Sequence, residues 1–180
     1  MTLYKGKYRV ESTRLPDWDY ASSGWYFVTI CTKDRVCFFG EIVSGTMHRP
    51  ESGEIAHRRW EEIPQRYAHV VLDAFVVMPN HIHGIIEICD DLRRDVPPRR
   101  DAPRRVSTGR FGPLQRGSLS SIVNHYKGAV TKEIRSTGCS DFAWQPRFHE
   151  HIIRNEKSLH AIRRYIFDNP ARWDEDHLKV

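Results

Sequence analysis

The chain has 180 residues, of which 39% are hydrophobic and 28% are charged, and its formal net charge is +5. This length suits a single domain, and we expect one over residues 1–180. No apolar run reaches the roughly 18 residues that would span a membrane, and the N-terminus has no signal-peptide core, so we expect a cytoplasmic protein. The four cysteines are scattered without a CxxC pair, which argues against a disulfide scaffold and a thiolate zinc site.

The first half of the chain predicts one strong strand and one helix. Residues 24–31 are rich in aromatic and β-branched side chains, which is typical of a strand. Residues 35–40 predict a short strand or a turn back, and residues 41–43 a continuation of it. Apolar side chains recur at helical spacing over residues 52–67, where Pro64 is expected to end or kink the helix.

The second half predicts three strands and two helices, with Ser118 and Asn155 as the two N-caps. The last helix is expected to end before Pro170, because proline disfavours helical conformation in the residue that precedes it. The whole pattern predicts an α+β fold, a ferredoxin-like antiparallel sheet with helices packed on one face. The predicted segments, in the order strand, strand, helix, strand, helix, are residues 69–78, 81–89, 118–134, 149–153 and 155–169.

An arginine- and proline-rich segment interrupts this pattern at about residues 90–117. It carries eight arginines and four aspartates, and therefore +4 of the net charge of +5. We interpret it as a flexible insertion. Concentrated positive charge favours a polyanionic partner such as nucleic acid, and the alternative is a solvated linker whose arginines only keep it soluble.

Two histidines lie two residues apart in the second buried strand. Successive strand side chains alternate between faces, so His81 and His83 share one face and Ile82 points to the other. Two imidazoles on one rigid face are suitable ligands for a divalent metal ion. The alternative is a pair of partly buried histidines that bond to neighbouring backbone.

The last helix offers a second set of polar side chains. Tyr165 and Asn169 are four residues apart, so their phenol and amide lie on one helix face. An activated tyrosine oxygen is a competent nucleophile. The alternatives are a core tyrosine and an ordinary helix C-cap. Tyr126 in the preceding helix is a rival nucleophile, and the pair His149 and His151 is a further candidate for metal or phosphate contacts.

Three blocks together resemble the single-tyrosine HUH transposases of the insertion-sequence-200-like type. They are residues 77–84 around the His-x-His pair, residues 144–154 with the sequence WQPRFHEHIIR, and residues 165–173 with the sequence YIFDNPARW. The most similar branch is the REP-associated tyrosine transposases, the domesticated bacterial relatives linked to repetitive extragenic palindromes. In mobile members the position of Asn169 is usually glutamine, so the asparagine favours the domesticated branch.

This resemblance implies a ferredoxin-like fold and a specific reaction. His81, His83 and Asn169 would bind Mg²⁺ or Mn²⁺, and Tyr165 would attack single-stranded DNA near a hairpin. The products would be a 5′-phosphotyrosine link and a free 3′-hydroxyl, which later rejoin. The partner would be a single-stranded DNA hairpin of the bacterial nucleoid, and the protein would act as a monomer or a homodimer. The residues that we expect to contact DNA are Arg14, Arg147, His151 and Arg154.

Two other functions are consistent with the residues. One is a DNA-hairpin-binding protein of the same fold with weak catalysis. The other is an unrelated metal-dependent hydrolase that uses water as its nucleophile. Binding alone needs neither the histidines nor the tyrosine, and a hydrolase would form no covalent DNA adduct.

Overall fold

The computed structural model describes residues 18–90 and 115–179. Six strands and four helices lie within these ranges, and short 3₁₀ turns occur at Lys33–Arg35 and Pro170–Glu175. The strands are Gly24–Cys31 (β1), Glu41–Val43 (β2), Thr46–His48 (β3), Val70–Val77 (β4), His81–Ile88 (β5) and His149–Ile153 (β6). The helices are Glu51–Glu61 (α1), Ile63–Arg66 (α2), Leu119–Ser136 (α3) and Glu156–Asp168 (α4).

Four of the strands form one antiparallel sheet in the order β4-β5-β1-β6. Strand β1, the first of these four along the chain, lies between β5 and β6, which are the third and the fourth. This is the strand order of a ferredoxin-like fold. Helix α1 lies between β1 and β4 in the chain, and α3 lies between β5 and β6. The predicted α+β fold with an antiparallel sheet is therefore confirmed.

The helices begin and end where the sequence provides signals for it. The side chain of Ser118 accepts a hydrogen bond from the Ser121 amide at 3.3 Å, and that of Asn155 accepts one from the Ser158 amide at 2.8 Å. Both residues are thus N-caps, as predicted. The helix predicted over residues 52–67 is divided at Glu62, because Pro64 is tolerated only in the first turn of a new helix.

The helices cover both faces of the sheet rather than one. Helices α1 and α3 contribute to the larger apolar core, with Tyr26, Val28 and Ile30 of β1. Helix α4 packs on the opposite face through Leu159 and Ile166. The prediction that helices pack on one face therefore holds for α1 and α3 and is wrong for α4, whose apolar stripe covers the odd-numbered residues of β1 instead.

The larger core includes a very close approach between α1 and the centre of the sheet. A side chain on Gly84 of β5 would place its Cβ 2.3 Å from Cζ2 of Trp60, so the ring lies directly against the strand backbone. Trp60 is fully buried and packs edge-on against Tyr126 of α3, with ring centroids 5.3 Å apart. Gly84 is therefore required where the indole crosses β5.

The structure differs from the prediction in the segment between β1 and α1. Residues 35–40 form no strand, and β2 pairs instead with β3, a strand that the sequence analysis missed. Most of the predicted insertion at 90–117 lies outside the described residues. Within the two described ranges, no helix has both the length and the apolar character needed to cross a membrane.

Candidate functional site

Strand β5 places its two histidines under helix α4. His81 and His83 lie opposite Cys31 and Thr29 of β1, and their ring centroids are 4.5 Å apart. Their exposed fractions are 0% and 2%. The two imidazoles thus form a buried polar pair on the α4 face of the sheet, as the two-residue spacing predicts.

Hydrogen bonds orient both rings. Nδ1 of His81 lies 2.7 Å from Oδ1 of Asn80, and the Asn80 amide nitrogen donates to the carbonyls of Arg35 and Leu178 at 3.1 and 2.9 Å. Because Oδ1 can only accept, His81 donates through Nδ1 and its Nε2 bears a lone pair. Nδ1 of His83 shares a 2.8 Å hydrogen bond with the Thr29 hydroxyl. Such contacts fix ring orientation in metal sites.

A carboxylate completes the cluster from the turn that follows α4. Oδ2 of Asp176 lies 3.6 Å from Nε2 of His81. Asp176, His81 and His83 each offer one potential metal-ligand atom, and these three atoms lie within 4.8 Å of one another. Three buried atoms here have no hydrogen-bond partner among the described residues, namely Nε2 of His81, Oδ2 of Asp176 and Oδ1 of Asn169. Buried acceptors without donors are costly, so this donor set fits a divalent cation.

Burial keeps both imidazoles neutral. Burial is the main reason why the pKa of His81 falls to about 2 and that of His83 to about 3; His83 contributes to the shift of His81, and His177 makes a smaller contribution to both. A neutral imidazole is the form that binds metal, so both side chains are in the binding-competent state at neutral pH.

Helix α4 brings Tyr165 to this cluster within the same chain. The Tyr165 hydroxyl lies 3.1 Å from Nε2 of His83, and its ring packs edge-on against Phe27 at 6.1 Å. Burial raises the pKa of Tyr165, the Asp176 charge raises it further, and a hydrogen bond with Asn169 lowers it. Tyr165 is nevertheless 39% exposed, and it lines two cavities.

The other predicted site residues lie in three places. Arg147 lines a cavity beside Tyr165, whereas His151 and Arg154 line a separate cavity along β6 at the edge of the sheet. Tyr126 lies on the opposite face of the sheet, where its hydroxyl donates to the carbonyl of Ala56 at 2.9 Å. Arg14 lies outside the described residues.

Three residues of the cluster were missed by the sequence analysis. The position of Thr29 beside His83 results from the pairing of β1 with β5, which the sequence alone does not specify. Asn80 directly precedes the first histidine, which was a usable signal. Asp176 belongs to an acidic run after the last helix, where no periodicity indicates a direction for the side chain.

Comparisons with known proteins give one relative by sequence and one solved structure of similar fold. No protein-family model matches the sequence. A protein of Haemophilus influenzae strain Rd, itself uncharacterised, is 37% identical over 178 residues, which is 97% of this chain and 96% of that protein. A solved structure of a REP-associated tyrosine transposase bound to a REP hairpin superposes with a TM-score of 0.58 and 20% sequence identity, over 91% of this chain and 74% of that one.

This superposition shows that the chain shares the fold of that REP-associated tyrosine transposase. The resemblance stated from the three sequence blocks is confirmed at this level. The chain itself belongs to one family with the Haemophilus influenzae protein, which it matches along almost its whole length.

Proposed function

We propose that the protein is a metal-dependent strand transferase that cleaves and rejoins single-stranded DNA through a covalent bond to Tyr165. One observation carries this proposal. The exposed phenol of Tyr165 lies 3.1 Å from a buried histidine, beside three buried polar atoms without partners among the described residues. A tyrosine with a purely structural role would not need such a cluster.

His81, His83 and Asp176 would hold the cation, with Oδ1 of Asn169 as a further oxygen ligand. A bound Mg²⁺ or Mn²⁺ would neutralise the non-bridging oxygens of the scissile phosphate. Asn80 and Thr29 keep the two imidazoles oriented before the cation arrives. This preorganisation reduces the structural change that the reaction requires.

Tyr165 supplies the nucleophile. Its oxygen forms a bond to phosphorus while the bond from phosphorus to the 3′ oxygen breaks, which leaves a 5′-phosphotyrosine and a free 3′-hydroxyl. The phenol loses one proton and the departing oxygen gains one through solvent. Burial and the Asp176 charge raise the pKa of Tyr165, and the hydrogen bond with Asn169 opposes this rise and so favours the phenolate that attacks. Attack by a 3′-hydroxyl on the phosphotyrosine reverses the step and joins strands.

The proposed substrate is a single strand next to a hairpin. The structure with a similar fold was solved with a REP hairpin, and this chain carries a net charge of +5. Arg147 lies at the Tyr165 cavity, while His151 and Arg154 lie along the β6 edge, so they would contact separate parts of the strand. Arg14 keeps its predicted role in DNA contact. Because Tyr165 meets the histidines of its own chain, we infer that a monomer is active.

The test is a denaturing gel of labelled single-stranded hairpin DNA incubated with the protein and Mn²⁺. Wild type should give a band of protein bound covalently to DNA, and Tyr165→Phe should give none while it still binds DNA on a native gel. Tyr126→Phe is the matched control, because it also removes one tyrosine hydroxyl and should keep the band. A band in Tyr165→Phe would contradict the proposal. A band in neither protein, with binding retained, would favour the weakly catalytic hairpin-binding protein.

A further inference from the structure

A cavity of about 470 Å³ opens beside Tyr165 on the α4 face of the sheet. Phe27 of β1 forms one wall, and Phe148 forms part of another. Gln145 and Arg147 contribute the polar rim between these aromatic walls. The volume lies within the roughly 300–1,000 Å³ that is usual for small-ligand sites, and the mostly apolar lining with a few polar groups is also usual for them.

The rim of this cavity is held in an unfavourable backbone conformation. Arg147 has φ of 69°, in the left-handed region that is uncommon for residues other than glycine. The ammonium group of Lys127 on α3 donates to the carbonyls of Gln145 and Arg147 at 2.7 and 2.9 Å. The Gln145 amide also donates to the carbonyl of Cys31 at 2.9 Å. Strained residues that several contacts hold in place occur mainly at functional sites.

We propose that this cavity is a nucleobase pocket that takes one unpaired base of the DNA strand next to the phosphate that Tyr165 attacks. The inference rests on the proposed function. Phe27 stacks on His83 and Phe148 packs partly against the larger core, and both rings also line the cavity, where a base of any type can stack on an aromatic ring. The side-chain amide of Gln145 can both donate and accept hydrogen bonds, so it can read the edge of a base. Arg147 lies at the rim, where the guanidinium can contact the phosphate of the same nucleotide.

The chemistry of the pocket favours a single strand over a duplex. A base within a duplex presents only its edge, whereas a pocket with aromatic walls needs an unstacked base. The exposed rim positions of Arg147 and His149 place positive or polar groups outside the apolar walls. This arrangement matches a nucleotide, with its base inside and its phosphate outside. Selection of the base by Gln145 would then contribute to the choice of the cleavage position.

The first test is photo-crosslinking of the wild-type protein in EDTA, so that no cleavage is required. The probe is a (dT)12 strand with one 4-thiothymidine, and crosslinked peptides are mapped by mass spectrometry. We expect crosslinks within residues 145–149 or at Phe27. Crosslinks found only elsewhere, for example along the β6 edge, would overturn the pocket. The result is independent of whether Tyr165 forms an adduct, so the two proposals can fail separately.

The second test compares the affinities of (dT)12 and of a 12-nucleotide abasic strand. Phe148→Ala should weaken binding of (dT)12 by roughly 5- to 150-fold, the range for loss of one stacked base, and leave the abasic strand unaffected. Phe167→Ala removes an aromatic ring that is 78% exposed on α4 and does not line the cavity, so it should change neither affinity. A folded Phe148→Ala protein that binds (dT)12 like wild type would contradict the proposal.

A third variant separates a role in binding from a role in folding. Arg147→Gly relieves the left-handed conformation, so its melting temperature should be no lower than that of wild type. It should weaken binding of both strands and reduce the slope of log affinity against log salt by about 0.7, the value for one phosphate contact on a single strand. Unchanged affinity and salt slope in this variant would exclude Arg147 from the pocket.

Discussion

The two faces of the sheet come from alternate residues of the same strands and have different chemistry. On one face, Tyr26, Val28 and Ile30 of β1 are fully buried under α1 and α3. On the other face, Phe27 and Thr29 of the same strand lie beside the two histidines of β5. The first face buries mainly apolar groups, and the Trp60 indole nitrogen is a buried polar atom there without a hydrogen-bond partner among the described residues. The second buries imidazoles and a carboxylate, which is unfavourable unless something binds to them.

The two tyrosines show the same difference. Tyr126 is buried against Trp60, and its hydroxyl is satisfied by the carbonyl of Ala56. Burial raises its pKa well above the usual range, which disfavours a phenolate. Tyr165 is partly exposed, and its hydroxyl lies beside His83. The type of residue is the same, and the face of the sheet determines whether its oxygen is a buried structural donor or lies beside the buried histidines, where we propose that it acts as the nucleophile.

The largest expected effect on stability comes from the apolar face. Trp60→Ala should lower the free energy of unfolding by about 3–5 kcal/mol, because it empties a large, fully buried site. Asp176→Asn should leave that free energy unchanged or raise it, since it removes a buried charge and places an amide donor near Nε2 of His81. Urea denaturation in EDTA measures both variants, and Phe167→Ala is the control with an exposed aromatic ring. Equal losses for Trp60→Ala and Asp176→Asn would contradict the contrast between the faces.

The polar face should also dominate the dependence of stability on acid. An unfolded histidine has a pKa of about 6.5, whereas folding lowers the pKa of His81 to about 2 and that of His83 to about 3. Below pH 6.5 the unfolded chain binds protons that the folded chain does not. The free energy of unfolding should therefore fall from pH 6.5 towards pH 3, by up to about 1.4 kcal/mol per pH unit for each histidine.

Urea denaturation of the metal-free protein at pH 7, 6 and 5 measures this slope. The double variant His81→Asn and His83→Asn should have a flatter dependence between pH 6.5 and 5, because it lacks both depressed imidazoles. Above pH 6.5 the histidines are neutral in both states and contribute no slope. A double variant with the slope of wild type would mean that other groups cause the acid sensitivity.

Metal binding should raise the free energy of unfolding by an amount similar to the loss expected on acidification. Mn²⁺ at 100 times its dissociation constant should add about 2.7 kcal/mol and raise the melting temperature by about 5–10 °C. Asp176→Asn should lose most of this shift. Asp174→Asn, in the same turn but with an exposed side chain that pairs only with Lys179 at the surface, should keep it. If both variants keep the full shift, Asp176 is not a ligand.

The sequence predicted the fold well where the pattern is strong. The bounds of β1 agree with the prediction, because the six consecutive residues 25–30 carry aromatic or β-branched side chains. The hairpin of β2 and β3 was missed because each strand has only three residues, which is too short for periodicity. Its turn at Ser44 and Gly45 has φ of 50° and 76°, a conformation that Asn-Gly signals more clearly than Ser-Gly.

Only those parts of the site that lie close together along the chain were predictable from the sequence. The spacing of His81 and His83 indicates a shared face, and that of Tyr165 and Asn169 indicates a shared helix side, because both follow from local periodicity. That these two pairs meet depends on which face α4 covers, which local periodicity does not specify; the sequence analysis expected them to meet only from the chemistry of the residues and from the family resemblance. Asp176 lies in an irregular turn, so its contact with His81 arises from tertiary packing alone.

The smallest expected effects come from the two helix N-caps, one for each face. Ser118→Ala and Asn155→Ala should each cost about 1 kcal/mol. Helix α3 buries seven residues and α4 only two, so we expect α4 to open locally without the rest of the sheet. Asn155→Ala should then accelerate amide exchange within α4 about fivefold and leave global unfolding almost unchanged, whereas Ser118→Ala should lower global stability.

Hydrogen exchange of both variants, followed by mass spectrometry, distinguishes local from global opening. If Asn155→Ala lowers global stability as much as Ser118→Ala does, the two faces unfold as one cooperative unit. If α4 opens alone, the helix that carries Tyr165 is the least stable element packed on the sheet. Tyr165 would then withdraw from the histidines while the apolar face stays folded, which the proposed alternation of cleavage and rejoining would require.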